Sequence, residues 1–203
     1  MTETEKLTEE KIFEAATDVF IEKGLDGARM QDIADHAGIN KALLHYYFRT
    51  KDRLFEAVFT KLAKKMFSRF GPIFENNLTL EEKIRLFFRE HITLLQNNPK
   101  LPGFILNEIN HNPRRIQNLI KNIEFKNLWL SIIENHKDEL DKYNITEETL
   151  PQIITSIISL SVFPFAAKGI LEVAFKSFDI DFNKYIEERK DFAAEFVIKA
   201  ITK

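Results

Sequence analysis

The chain has 203 residues, 44% of them hydrophobic, enough to bury a substantial core in one domain or two small ones. Its 29 Lys and Arg are offset by 31 Asp and Glu, giving a formal charge of −2. That balance excludes a uniformly basic nucleic-acid coat, and the lack of any cysteine excludes disulfides, thiolate catalysis and Cys-ligated metals.

The opening residues, MTETEKLTEEK, are acidic and polar and lack the layout of a secretory signal. A first helix is predicted after Thr8, an N-cap followed by Glu9 and Glu10, with Ile12, Phe13, Ala16, Val19 and Phe20 inward and Gly24 as its end. Met30, Ile33, Ala34 and Ala37 fall on one face of a second helix, which Gly38 closes. Asn40 is placed to cap a third, short helix anchored by Leu44 and Phe48. Lys41, His45 and Tyr46 then point outward. Between Gly38 and Arg53 the cations Lys41, Arg49, Lys51 and Arg53 face only Asp52, so the positive charge is concentrated here.

A fourth helix is predicted from Lys51 to Phe70, stopped by Gly71-Pro72. Thr79-Leu80-Glu81-Glu82 is a capping box opening a fifth, with Ile84, Phe87, Phe88, His91, Leu94 and Leu95 inward. A sixth spans about Leu101 to Asn110. Pro113 opens a seventh carrying Ile116, Ile120, Ile123, Leu128, Trp129 and Ile132. His136 to Asn144 is polar and is expected to contain the end of that seventh helix. Thr146 is expected to cap an eighth helix that Pro164 kinks or breaks. The last, from about Asp181, places Phe182, Tyr185, Ile186, Phe192, Ala193, Phe196, Val197 and Ala200 on one side. The six Gly and six Pro fall mostly between periodic segments, and no run alternates like a strand, so the fold class is all-α. The apolar run from Ile153 to Ala167 is interrupted by Thr155, Ser156, Ser159 and Ser161 and is shorter than the ~20 residues a bilayer requires. A soluble cytoplasmic protein without a membrane partner is the expectation.

The order Ile33-Ala34, Ala37-Gly38-Ile39, Lys41, Leu44, Tyr46-Tyr47-Phe48 and Lys51, preceded by Ala15-Ala16, Val19-Phe20 and Gly24, resembles the DNA-binding domain of the tetracycline-repressor (TetR) family. The resemblance covers about the first quarter of the chain. It implies an N-terminal three-helix helix-turn-helix domain at residues 1–50, then a helical ligand-binding and dimerisation domain at 51–203. It further implies a transcriptional repressor: a homodimer, paired through its two C-terminal helices, on a palindromic double-stranded DNA operator, released by a small, largely apolar effector, with the fourth helix as transmitter.

By that resemblance Asn40 caps the recognition helix, while Lys41, Ala42, Leu43, His45, Tyr46 and Tyr47 meet base edges or phosphates. Lys51 and Arg29 grip the backbone. The chain departs from the family pattern in three places. Ala28-Arg29 replaces hydroxyl residues, so Asp26 is expected to supply the missing cap. Leu43 stands for a small or hydroxyl residue, and either meets a thymine methyl or packs inward. His45 stands for tyrosine, and an imidazole in its cationic form favours phosphate.

For the effector, the sequence offers a polar group among aromatics: Phe67, Phe87, Phe88, His91, Phe104, Glu108, His111 and Trp129, with Asn107 and Asn110 weaker. The plainer alternative is a core histidine and a carboxylate satisfied by a neighbour. The 19 phenylalanines fit an aromatic pocket and equally an AT-rich genome. Glu108-x-x-His111 also suggests a helical metal-binding protein or enzyme, but di-iron bundles need that motif twice plus two further glutamates. None of His36, His45, His91 and His136 has a glutamate three residues before it. There is no His-Glu-x-x-His, phosphate loop or Gly-x-Ser-x-Gly, so no cofactor, no metal and no catalytic residue is expected. A DNA binder without an effector is the other alternative.

Overall fold

The computed structural model describes residues 3–69, 78–112, 117, 130 and 133–202. Among them it contains ten α-helices and no strand: α1 (Glu3–Gly27), α2 (Met30–Ala37), α3 (Lys41–Tyr47), α4 (Lys51–Arg69), α5 (Leu80–Asn97), α6 (Leu101–His111), α7 (Lys137–Lys142), α8 (Leu150–Ala166), α9 (Lys168–Lys176) and α10 (Phe182–Ile201). They form two compact units, one of Met1–Met66 with Asn107–Leu119, the other of Phe67–Leu106 with Ile120–Lys203. The seventh helix expected from Pro113 lies outside the described residues.

In the first unit, Ile12, Ala15, Ala16, Val19 and Phe20 of α1 are buried, as are Ile33 and Ala34 of α2, Leu44 of α3, and Leu54, Phe55, Val58 and Phe59 of α4. The rings of Phe20 and Phe55 meet edge to face at 4.9 Å. α1 begins at Glu3, earlier than Thr8 suggested, because no Gly or Pro interrupts the Glu- and Lys-rich start. Gly24 breaks it with a φ of 67°, and the chain coils on to Gly27. Gly38 ends α2 in the left-handed conformation (φ 66°, ψ 32°), its N–H donating to the Asp35 carbonyl. α2 has no side-chain cap: Asp26 does not supply one, and Arg29 stands at the cap position. Phe48 lies one residue beyond α3 in extended conformation, and its ring packs edge-on against Phe13 at 5.6 Å.

In the second unit α5 opens with the full Thr79–Glu82 capping box and packs along α10. Its buried Ile84, Phe88, Ile92 and Leu95 meet Ile186, Ala193, Ala194, Val197 and Ile198 of α10 and Phe165 of α8. Burying Phe88 completely contributes about 2–3 kcal/mol.

Four expectations are corrected here. The polar segment His136–Asn144, expected to hold the end of the preceding helix, contains a helix of its own, α7, whose Leu140 is buried with Ile145 and Leu150 and gives this short stretch its apolar anchor. α8 starts at Leu150 rather than after Thr146; Thr146 and Thr149 exchange backbone-to-hydroxyl bonds in a turn before it, and Pro151 sits in its first turn. Pro164 does not break α8, which runs on to Ala166 before a 70° bend into α9. The carbonyl that Pro164 leaves without a helical donor belongs to Leu160, and Arg189 Nε donates to it at 2.9 Å. Finally, Phe192 and Phe196 are 64% and 57% exposed, not inward, and Ala200 is exposed too. The inward stripe follows Ile186, Ala193, Val197 and Ile198, which turns residues 192 and 196 to the other side. No single helix among the described residues is long and apolar enough to cross a membrane.

Candidate functional site

α3 is a seven-residue helix whose geometry follows from three residues. Asn40 Oδ1 accepts from the Leu43 N–H at 2.7 Å, fixing its start. Leu44, with no exposed surface, pins its inner face. Phe48 holds its end against α1. Lys41, Ala42, His45 and Tyr46 are left exposed, Tyr46 at 77%, and Leu43 lies outward at 36%. Tyr47 is half-buried, its ring edge-on to Tyr46 at 5.6 Å. The outer face therefore offers an ammonium, an imidazole, a phenol and an apolar side chain on one rigid support, the combination that reads base edges and phosphates in a major groove.

Arg29 is exposed at the start of α2. Lys51, half-buried, donates to the carbonyls of Ala28 at 2.9 Å and Asp26 at 3.3 Å, so it also braces the loop before α2. Lys23 and Asp32 pair at 2.7 Å between α1 and α2; their hydrogen bond raises the lysine and lowers the carboxyl from their usual ranges. Sequence reasoning had no signal for this pair, because nine residues separate partners that only the helical hairpin brings together.

The residues expected to hold an effector fall in both units, and Phe104 and Glu108 lie one turn apart on α6. Phe87, Phe88, His91 and Phe104 belong to the second unit, Glu108 and His111 to the first. Glu108 is buried and accepts from Asn112 Nδ2 at 3.1 Å; His111 is exposed, and its Nδ1 meets the Asn107 carbonyl at 2.8 Å. The two ends of the Glu-x-x-His spacing thus face different surroundings. Trp129 and the side chain of Phe67 lie outside the described residues. His91 is buried against Phe87, ring centres 5.0 Å apart, and its Nδ1 lies 2.8 Å from Ser161 Oγ. The Ser161 hydroxyl donates to the Ile158 carbonyl, so the imidazole Nδ1–H is the donor to serine. Burial lowers His91 to about 4.

A cavity of about 190 Å³ lies elsewhere in the second unit, walled by α5, α7, α8 and α10. Of the residues expected from sequence, Phe87 lines it. Lys83 and His136 were missed. Lys83 is 3% exposed and its Nζ lies 2.8 Å from His136 Nε2; burial pushes both groups down. A signal existed: Lys83 sits beside Ile84 and one turn before Phe87, on the apolar stripe of α5, where a lysine is out of place.

A capped, exposed short helix set after a glycine-closed partner defines the first unit as the helix-turn-helix of a DNA-binding transcriptional regulator. Residues 12–58 match the family model described as bacterial regulatory proteins, tetR family. The match spans α1 to α4, so this stretch of the chain is similar to the DNA-binding region of that family. It is 24% identical over 161 residues to the probable HTH-type transcriptional regulator YttP of Bacillus subtilis (strain 168), covering 78% of this chain and 77% of that one. It is 22% identical over 127 residues to the HTH-type transcriptional repressor KstR2 of Rhodococcus jostii (strain RHA1), covering 61% and 62%. Among solved structures, the transcriptional regulator FadR of Bacillus subtilis in complex with stearoyl-CoA shares the fold at a TM-score of 0.64, with 16% identity over 91% of this chain and 96% of that one.

Proposed function

We propose that this regulator is a cytoplasmic, ligand-responsive repressor that binds a palindromic operator as a homodimer. Residues 1–50 carry DNA recognition and residues 51–203 carry effector binding and dimerisation. The observation that carries this reading is the outer face of α3, with Lys41 and Tyr46 exposed on a helix that Asn40 and Leu44 hold rigid. Lys41 and Tyr46, with Ala42, Leu43 and His45 beside them, contact base edges and phosphates. Tyr47, Arg29 and the remaining donor of Lys51 contact the backbone, and Asn40 fixes the helix start. In a two-fold dimer the recognition helices meet half-sites about one duplex turn, ~34 Å, apart or a small multiple of it.

Dimerisation runs through α8 and α10. Its support is apolar surface that one chain leaves uncovered: Phe163, Phe192 and Phe196 are all more than half exposed. The effector is a small, largely apolar molecule bound in the second unit. A regulator of the same fold is crystallised with stearoyl-CoA, which supports an aliphatic ligand. Repression is relieved only if that molecule prefers the conformation in which the recognition helices are wrongly spaced. The test is selection of bound duplexes from a random pool, followed by affinity measurement on the selected site with and without ligand. A palindromic consensus is expected; recovery of no sequence preference contradicts the reading.

A further inference from the structure

The cavity in the second unit combines two properties that seldom occur together. Its wall is built largely from aliphatic side chains, with Ile153, Ile154 and Ile157 of α8 facing Leu140 and Ile84. Yet that wall includes a lysine whose residue is 3% exposed. Among the described residues no carboxylate pairs with Lys83 within 4 Å; its ammonium meets the His136 imidazole at 2.8 and 3.3 Å. Glu139 faces the pair from α7 and attracts the ammonium at longer range, while its Oε1 accepts the Leu80 N–H at 2.9 Å. A buried cation resting on a neutral ring costs stability and is offset by an incoming anion. The site also lies in the first turns of α5, whose positive end favours negative charge.

We propose that this cavity binds a medium-chain aliphatic carboxylate, its chain along the α8 isoleucines and its carboxylate on Lys83 and His136. That such an acid is the effector rests on the regulatory reading above; that it binds here does not. The volume of about 190 Å³, roughly six times the ~30 Å³ that one water occupies in the liquid, leaves room for a short aliphatic chain and its carboxylate. Ile158 lines the cavity and is 46% exposed, so the tail end reaches solvent. A single ammonium and a neutral imidazole match the one charge of a carboxylate better than the two of a phosphate monoester.

Calorimetric titration of the full chain with octanoate and with 1-octanol tests the site without DNA. Octanoate is expected to bind about tenfold or more tightly than 1-octanol. Lys83→Met is expected to abolish that difference while still binding the alcohol, which also reports that it is folded; Lys83→Arg is expected to retain the preference. Equal affinity for acid and alcohol, no binding of either, or undiminished octanoate binding by Lys83→Met overturns the proposal. Fluorescence anisotropy on the selected duplex separates the two readings. Octanoate binding that leaves DNA affinity unchanged removes the effector role and keeps the acid site. Specific DNA binding without octanoate binding removes the acid site and keeps the regulator.

Discussion

Arg189 donates through Nε to the Leu160 carbonyl at 2.9 Å, supplying the hydrogen bond that Pro164 cannot make within α8. A charged donor on α10 thereby lets a proline sit inside a helix that would otherwise carry an orphaned acceptor. Arg189→Met is expected to destabilise the protein by about 1–2 kcal/mol. In Pro164→Ala the backbone N–H returns, so the same arginine substitution is expected to cost markedly less. Chemical denaturation of the four variants measures the coupling; additive effects contradict it.

His91 makes stability depend on pH. Burial holds it near 4 in the fold, while the unfolded chain titrates near 6.5. The unfolded state therefore takes up protons first as pH falls. Stability is fully present above about 6.5 and declines toward 4, by roughly 3 kcal/mol over the window. His136, lowered by burial and by Lys83, adds a loss of the same sign. His91→Asn is expected to flatten the curve between pH 7 and 4.5, read by denaturation midpoints at each pH. Parallel curves for variant and wild type contradict the assignment.

Gly38 closes α2 at a φ of 66°, and a Cβ there would meet nothing within 4 Å. Gly38→Ala is thus expected to cost about 1 kcal/mol from backbone conformation alone. Thermal melting checks it, and an unchanged midpoint counts against the left-handed closure.

Phe192 and Phe196 stack on the outer side of α10, ring centres 6.4 Å apart. Changing both to Asp is expected to yield a monomer in sedimentation and to weaken binding to a palindromic site roughly tenfold or more, through lost bivalency. A dimer that survives the change places the interface elsewhere.

The helix-turn-helix was legible because its signals are local. Gly38, Asn40 and the spacing of Ile33, Ala34 and Leu44 act within a few residues of themselves. The capping box at Thr79 and Glu82 was legible for the same reason. What escaped was tertiary. Pro164 is tolerated because of a residue 25 positions later, and Lys51 braces carbonyls 23 and 25 residues before it. Phe192 and Phe196 fit a broad apolar stripe, but the side that is buried depends on where α5 packs. The cavity was not legible because its lining, from Leu80 to Ile201, is assembled from segments far apart in the chain, and Lys83 is unusual in its position rather than its type.

The most direct test of DNA recognition is affinity of the Lys41→Ala/Tyr46→Ala protein for its selected duplex, measured against salt concentration and against scrambled duplexes. Tyr46 is 77% exposed and Lys41 is exposed, so the melting midpoint is expected to stay at the wild-type value. Affinity is expected to drop, discrimination between duplexes to shrink, and the log-log salt slope to fall by about 1. A double variant that keeps wild-type affinity and discrimination contradicts the account.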